Sequence, residues 1–279
     1  MKYKILALDL DGTLLSSKRR KISKENVQAL SQFIDNGGSV CFVTGRSLTS
    51  SRIVADNFYK KTGKKIKYIA CLNGTLIFDN VKEEYVEENT ISPKIADKML
   101  EECKKLKLGF ATYTTKGMTE KKMQLHGYHG WNWLINLFNK QTKITKMKNV
   151  DLNDPIYKIN VLKRFSNRNF KEFGNYFNNE FVNDLDISST SPWLYEITLN
   201  NVNKGSAIEK ISKLLNLDLS EVVAFGDSAN DIPMFKKVGL PIAARDKYEH
   251  VLKYTKHVVN SKQKIAVAKG LEEYVFNEK

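Results

Sequence analysis

The sequence predicts an α/β fold, in which a Rossmann-like, doubly wound parallel sheet carries an inserted α+β cap domain. Short apolar runs alternate with helical patterns at both ends of the chain, and this rhythm breaks in the middle. The 279 residues, 42% of them hydrophobic, suffice for about two domains with buried cores. We therefore expect a core from residues 1–81 and 191–279 and a cap from residues 82–190.

The N-terminal part of the chain reads as strand, helix, strand, helix, strand. In the first helix, Val27, Leu30 and Ile34 recur at helical spacing. Ser23 is a good cap before this helix, and Gly37 is a stop signal after it. Because helices separate the strands, we expect parallel pairing through right-handed crossovers. The strands are predicted at residues 3–8, 39–44 and 68–72, and the second helix at residues 50–62.

The middle of the chain is typical of an α+β domain, and the alternation returns after it. A hairpin-like stretch begins near residue 80, and a long amphipathic helix and two strands follow. The middle helix is predicted at residues 92–107 and the two strands at residues 110–114 and 156–162. The later strands are predicted at residues 195–198, 222–225, 240–243 and 257–259, and the later helices at residues 204–215, 230–238, 247–254 and 265–276.

Composition excludes several classes of protein. The net charge is +14, with the basic excess concentrated in residues 1–82, which favours anionic ligands without choosing among them. No run approaches the roughly eighteen apolar residues of a membrane span, and Asp9 and Asp11 interrupt the first apolar stretch. Three widely spaced cysteines argue against a disulfide framework or a cysteine zinc site. We expect a cytoplasmic protein.

Two features of the predicted cap have competing interpretations. His126 and His129 are spaced as ligands on one helical face, but Gly127 lies between them and no third ligand is near, so an exposed loop is favoured over a metal site. The cluster around Trp131 and Trp133 fits a lid or the packing of the cap core, and core packing is favoured.

Two carboxylates follow the first predicted strand directly, in the string Asp9-Leu10-Asp11-Gly12-Thr13. Ligands of open α/β sheets bind at the carboxyl ends of the strands, so this is a position for chemistry. In an extended chain Asp9 and Asp11 would share one face, and Gly12 would let backbone amides approach an anion. Carboxylates that point together repel, so a divalent cation, a proton retained on one of them, or both must compensate.

Three further groups lie at the ends of predicted strands or the starts of helices. Thr44-Gly45 follows a strand, where a hydroxyl and amides at a helix entrance can contact phosphate. Lys204 opens a helix, where its charge opposes the helix dipole and therefore favours an anion nearby. Asp227 can supply an oxygen ligand to a hard cation, whereas Asn230 also fits a helix N-cap.

Taken together, these strings resemble the haloacid dehalogenase superfamily of phosphatases, and within it the Cof-like hydrolases. The resemblance spans nearly the whole chain, and one departure is Ile242-Ala-Ala-Arg245, where the family often has Met-Gly-Asn-Ala. The strings that carry it, in chain order, are Asp-Leu-Asp-Gly-Thr-Leu-Leu, Val-Thr-Gly-Arg, Leu-Asn-Gly-Thr, Glu-Ile-Thr with Asn-Lys-Gly, and Gly-Asp-Ser-Ala-Asn-Asp-Ile-Pro-Met.

The resemblance implies a magnesium-dependent phosphatase that acts through an aspartyl-phosphate. Asp9 would be the nucleophile, and Asp11 would protonate the leaving oxygen and then activate water. The implied Mg²⁺ ligands are the Asp9 carboxylate, the main-chain carbonyl of Asp11, and Asp227. Asp231 would support Lys204 or a water on the metal. The implied phosphate-binding residues are Leu10, Thr44, Gly45, Lys204 and Asn230.

The resemblance also implies small phosphorylated metabolites as substrates, such as sugar phosphates or related cofactors, with specificity set by the cap. We expect a monomer or weak homodimer, with neither nucleic acid nor membrane as a partner. A phosphomutase of the same superfamily is one alternative, because it would use the same nucleophile. A basic nucleic-acid-binding protein is another, but it leaves the ordered acidic strings without a purpose.

Overall fold

The computed structural model describes residues 1–15, 21–114, 122–126, 143–146, 155–163, 167–246, 248–259 and 265–277. The chain divides into two units. The core unit combines Met1–Glu87 with Asn203–Lys279, and the inserted unit is Glu88–Val202.

The first segment of the core unit alternates strands and helices, as its apolar pattern predicts. Its first strand is buried at every position, as a parallel strand covered on both faces requires. Its first helix begins after Ser23, whose hydroxyl accepts a hydrogen bond from the Asn26 amide. The elements are β1 (Ile5–Leu8), α1 (Lys24–Asp35), β2 (Ser39–Val43), α2 (Leu48–Thr62), β3 (Tyr68–Cys71), β4 (Leu76–Asp79) and β5 (Glu84–Glu88).

In the described part of the inserted unit, two helices pack against one sheet. Its six strands follow the order β10-β11-β9-β6-β7-β8, and its apolar core includes Met99, Phe110 and Phe173. The elements are α3 (Pro93–Lys105), β6 (Gly109–Thr114), β7 (Lys122–His126), β8 (Lys143–Lys146), β9 (Ile156–Leu162), α4 (Asn167–Glu180), β10 (Leu185–Ser191) and β11 (Leu194–Leu199).

The second segment of the core unit resumes the alternation with shorter helices than the sequence predicts. Residues 229–231 form a 3₁₀ turn, and the α-helix begins only at Ile232 because Pro233 fits the first helical turn, where an amide hydrogen is not needed. The elements are α5 (Lys204–Leu214), β12 (Val222–Gly226), α6 (Ile232–Phe235), β13 (Leu240–Ala243), α7 (Glu249–Leu252), β14 (His257–Val258) and α8 (Ala266–Leu271), which continues as a π-helix over Glu272–Phe276.

The core sheet has eight strands in the order β14-β13-β12-β1-β2-β3-β4-β5. Strands from β14 to β3 pair in parallel, and β4 runs antiparallel to β3. The strand order reverses at β1, so the carboxyl ends of β12, β1 and β2 meet at the point where open α/β sheets bind their ligands. This topology confirms the predicted doubly wound fold.

The bounds of the two units differ from the predicted segments. β5 joins the core sheet, although all of it lies beyond residue 81. β11 pairs with β9 and β10 in the inserted sheet, so the chain returns to the core unit at Asn203 rather than at residue 191. The interpretation of the inserted unit as a substrate-selecting cap stays a prediction.

Two sequence-based expectations concern residues outside the described part of the chain, namely the Trp131/Trp133 cluster and His129. His126 ends strand β7 rather than lying in a loop. The three cysteines are buried free thiols. Among the helices that the structure describes, none is long and apolar enough to cross a membrane.

Candidate active site

Three neighbouring strands deliver polar residues to one edge of the core sheet. Asp9 follows β1, Thr44 follows β2 and Asp227 follows β12. The N-terminus of α5 adds Lys204, and the Asn203 side chain caps this helix by accepting from two main-chain amides. Residues far apart in the sequence therefore meet at the switch point of the sheet.

Lys204 is the cation at the centre of this site. Its side chain is fully buried, and its Nζ donates to Oδ1 of Asp9 and to Oδ1 of Asp231, each at 2.6 Å. Burial alone would lower the pKa of Lys204, but Asp231 and Asp9 raise it above its ordinary value. The ammonium therefore stays charged and bridges two carboxylates.

Three buried carboxylates converge beside this ammonium. Asp9, Asp227 and Asp231 each offer an oxygen, and these oxygens lie within 4.8 Å of one another. Burial raises the pKa of Asp9 to about 7, with Lys204 opposing the rise and the other two carboxylates adding to it. Burial also raises the pKa of Asp227, whereas the positive charge of Arg245 lowers it. A cluster of hard oxygen donors with excess negative charge fits Mg²⁺.

Asp227 is held in place from several sides. Thr13 and Ser228 donate their hydroxyls to its Oδ1 at 3.4 and 3.3 Å. The Nε of Arg245 lies 3.4 Å from its Oδ2 and donates to the Gly12 carbonyl at 2.7 Å. Gly12 has φ +91°, and a Cβ there would lie 2.5 Å from Asp227 Oδ2. The turn after β1 therefore requires glycine for its backbone and for the space beside Asp227.

Asp231 binds both Lys204 and the loop that follows β12. Its Oδ2 accepts from the main-chain amides of Asp227 and Ser228, each at 2.9 Å. One carboxylate thus links the position of the lysine to the position of Asp227.

The structure does not bring the Asp11 side chain into this cluster. That side chain is 61% exposed and accepts from Nε and Nη2 of Arg46, each at 2.5 Å. The expected shared face of Asp9 and Asp11 depended on an extended chain. Instead, hydrogen bonds from Leu14 and Leu15 back to residues 9 and 10 turn the chain at this point.

The predicted phosphate-binding residues lie around the same edge. Thr44 is buried, and its Oγ1 accepts from the Arg46 amide at 3.2 Å, which leaves its hydroxyl hydrogen for another acceptor. Asn230 donates from Nδ2 to Oδ1 of Asn73 at 3.1 Å, and its own Oδ1 is buried without a partner among the described residues. The Leu10 side chain is fully buried, so only its main chain can contact a ligand.

Sequence reasoning assigned no role to four residues that the structure places in this site: Thr13, Arg46, Asn73 and Arg245. The first three stand inside the strings that carry the family resemblance, so the strings themselves were the available signal. Arg245 stands in the string that departs from the family pattern, and it reaches the turn at Gly12 through the parallel pairing of distant strands.

The chain is similar to known hydrolases and phosphatases over most of its length. A family model described as haloacid dehalogenase-like hydrolase matches residues 6–271. A Mycoplasma pneumoniae protein is 32% identical over 239 residues, which cover 84% of each chain. The Bacillus subtilis 5-amino-6-(5-phospho-D-ribitylamino)uracil phosphatase is 26% identical over 283 residues, covering 98% of this chain and 96% of that protein. A solved sugar phosphatase of subclass IIB aligns with a TM-score of 0.75 at 19% identity, covering 96% of this chain and 98% of its own.

Proposed function

Because this chain belongs to the haloacid dehalogenase-like hydrolase family, it is a hydrolase, and we propose that it is a magnesium-dependent phosphatase of small phosphorylated metabolites. The observation that carries the proposal is the Lys204 ammonium bridging Asp9 and Asp231 at the switch point of the sheet. Phosphoryl transfer depends mainly on positioning and on neutralising charge on the phosphoryl oxygens. Lys204 supplies a positive charge at this site, and its two carboxylate partners fix its position.

In the proposed reaction, a carboxylate oxygen of Asp9 attacks phosphorus while the bond from phosphorus to the leaving oxygen breaks. Asp11 exchanges its contact with Arg46 for one with the substrate, takes a proton from solvent as it does so, and donates that proton to the leaving oxygen. Water then attacks the phosphorus of the aspartyl-phosphate and gives a proton to Asp11. This second step breaks the bond to Asp9 and releases orthophosphate, and Asp11 then gives its proton to solvent, so both side chains return to their starting states.

Mg²⁺ would be held by the carboxylates of Asp9 and Asp227 with the main-chain carbonyl of Asp11, and it would supply positive charge opposite the phosphoryl oxygens. The residues proposed to surround the transferred group are Leu10, Thr44, Gly45, Lys204 and Asn230. Among them, the Lys204 ammonium and the Thr44 hydroxyl each offer a hydrogen to an anionic oxygen. Asp231 holds Lys204 in position for this contact.

The inserted unit is proposed to be the cap that selects the organic part of the substrate. Its sheet carries a buried polar cluster, in which Lys158 is hydrogen-bonded to Glu196 and lies over the Tyr113 ring, 5.5 Å from the centroid. Burial raises the pKa of Tyr113 to about 12, so its hydroxyl stays protonated. Asn160 adds a buried Oδ1 without a partner in the described part of the chain. Such a cluster suits hydroxyl-rich ligands, in line with the sugar and ribityl phosphates named for two relatives.

Phosphate release tests the proposal most directly. A panel of phosphorylated sugars, nucleotides and cofactors is offered to the wild type and to Asp9→Asn, with and without Mg²⁺, and Asp35→Asn serves as an exposed control. We expect turnover that requires both Mg²⁺ and Asp9, while Asp35→Asn remains active. Activity that survives in Asp9→Asn would overturn the nucleophile.

The same assay separates the alternatives. A phosphomutase would need a sugar bisphosphate activator and would release little orthophosphate. A nucleic-acid-binding protein would bind in a manner that weakens steeply with salt and survives Asp9→Asn. The cytoplasmic location, the oligomeric state and the absence of nucleic-acid or membrane partners stay predictions.

A further inference from the structure

A three-residue turn after β3, Leu72–Gly74, has an unusual backbone. All three residues have positive φ, at 51°, 63° and 103°. Glycine adopts this region freely and asparagine tolerates it. For a bulky residue such as the fully buried Leu72, positive φ is sterically unfavourable. Because strained backbone persists only where surrounding contacts determine it, the turn points to a role beyond connecting β3 to β4.

The main chain of this turn holds the loop after β2. The Leu72 amide donates to the Arg46 carbonyl, and the Asn73 amide donates to the Thr44 carbonyl, each at 2.9 Å. The turn is also packed against the start of α5, because a Cβ on Gly74 would lie 2.6 Å from the Asn203 carbonyl oxygen. Two of the loops that carry proposed phosphate ligands therefore rest on this turn.

The Asn73 side chain reaches a third loop. Its Oδ1 accepts from Nδ2 of Asn230 at 3.1 Å, across 157 residues of sequence. The same oxygen lies 3.1 Å from the position that a Cβ on Gly45 would occupy, so the absence of a side chain at residue 45 leaves room for it.

We propose that Asn73 is a positioning residue that acts through Asn230, and this inference rests on the proposed phosphatase function. An amide nitrogen carries two hydrogens, and the bond to Asn73 uses one of them. The other remains for an oxygen of the transferred phosphoryl group. Without the acceptor on Asn73, the Asn230 amide is free to rotate and to present its oxygen, which repels an anion.

Asn73 could instead serve only as a residue that tolerates positive φ, and one substitution separates the two roles. Asn73→Gly keeps the backbone conformation and the amide that donates to Thr44, because glycine adopts positive φ without strain. It removes only the side-chain acceptor. Asn216→Gly is the matched control, since Asn216 has φ 54° and is exposed beyond the end of α5.

The experiment measures three quantities for each variant: the melting temperature, the Kd for orthophosphate in the presence of Mg²⁺, and kcat and KM for the best substrate of the panel. For Asn73→Gly we expect a near-normal melting temperature but weaker orthophosphate binding and a fall of about tenfold in kcat/KM, the effect of one lost hydrogen bond in a site. Asn216→Gly should match the wild type in all three.

A double variant tests the route of the effect. If Asn73 acts through Asn230, Asn73→Gly should have little further effect in an Asn230→Ala background, because the amide that it orients is gone. A full additional loss there, or unchanged orthophosphate binding in the single Asn73→Gly variant, would overturn the proposal. A wild type that binds orthophosphate but hydrolyses no ester would overturn only the proposed function, whereas one that binds no orthophosphate would overturn both.

Discussion

Replacing Lys204 by methionine should destabilise the core unit strongly, because the change keeps the length of the side chain and removes its charge. The ammonium is fully buried and bonds to Asp9 and Asp231 at 2.6 Å each. Losing one partner of a buried ion pair costs about 3–5 kcal/mol. At about 2–4 °C per kcal/mol, the melting temperature should fall by roughly 6–20 °C.

The loss should also depend on pH. Burial already raises the pKa of Asp9 to about 7, and without Lys204 that pKa should rise further. A carboxyl group whose pKa is raised in the folded state destabilises the fold when it is ionised, so lowering the pH should relieve the cost. The difference in stability between wild type and Lys204→Met should therefore shrink as the pH falls from about 8 to about 5.5.

The assay is thermal unfolding in EDTA, followed by circular dichroism, so that metal binding does not contribute. Lys213→Met is the control: Lys213 lies on the same helix with its side chain 73% exposed, paired at 3.4 Å with Glu209. It should change stability by less than about 0.5 kcal/mol. Asp231→Asn added to Lys204→Met should recover part of the loss, because it removes a buried negative charge that has lost its cation. A Lys204→Met protein that melts within a degree or so of the control at pH 8 would refute the reasoning.

Three further predictions concern other contacts. Gly12→Ala and Gly37→Ala both add a side chain at positive φ, but a Cβ at residue 12 meets a carboxylate oxygen at 2.5 Å while residue 37 has open space. In chemical denaturation we expect Gly37→Ala to lower the free energy of unfolding by about 1–2 kcal/mol and Gly12→Ala to lower it further. Gly12→Ala should also need more Mg²⁺ for half-maximal activity. Equal losses of stability would contradict the close approach at residue 12. Arg46→Lys should lower kcat/KM about tenfold, because lysine does not reproduce the two contacts of the guanidinium with Asp11. It should change stability by less than about 1 kcal/mol, because the Asp11 carboxylate is exposed. A large drop in melting temperature would count against this. In the inserted unit, Lys158→Met should lower the free energy of unfolding in urea by about 3–5 kcal/mol, because it leaves Glu196 without its partner. Adding Glu196→Leu should restore most of that loss. A double variant as unstable as the single one would argue against a buried pair.

Much of the fold could be predicted because its signals are local. The apolar runs of β1 and β12 are buried at every position, as continuous hydrophobic strands in a parallel sheet must be. The chain returns to the core unit at Asn203 rather than at the predicted residue 191, since the apolar pattern of β11 does not say which sheet it joins. That choice depends on pairing with β10, which precedes β11 directly in the chain, and with β9, which is distant in sequence. No local feature of β11 indicates a preference for these two strands.

Local sequence patterns were enough to predict the fold class and the polar residues at the ends of the central strands, because strand length, helix period and the switch point of a parallel sheet follow from them. The contacts of those residues, by contrast, depend on how distant segments pack. Asp11 turns away to Arg46 because the chain bends after β1, and Asn73 meets Asn230 across two loops. Such contacts depend on turn dihedral angles and on packing between segments far apart in the chain, which no local pattern encodes.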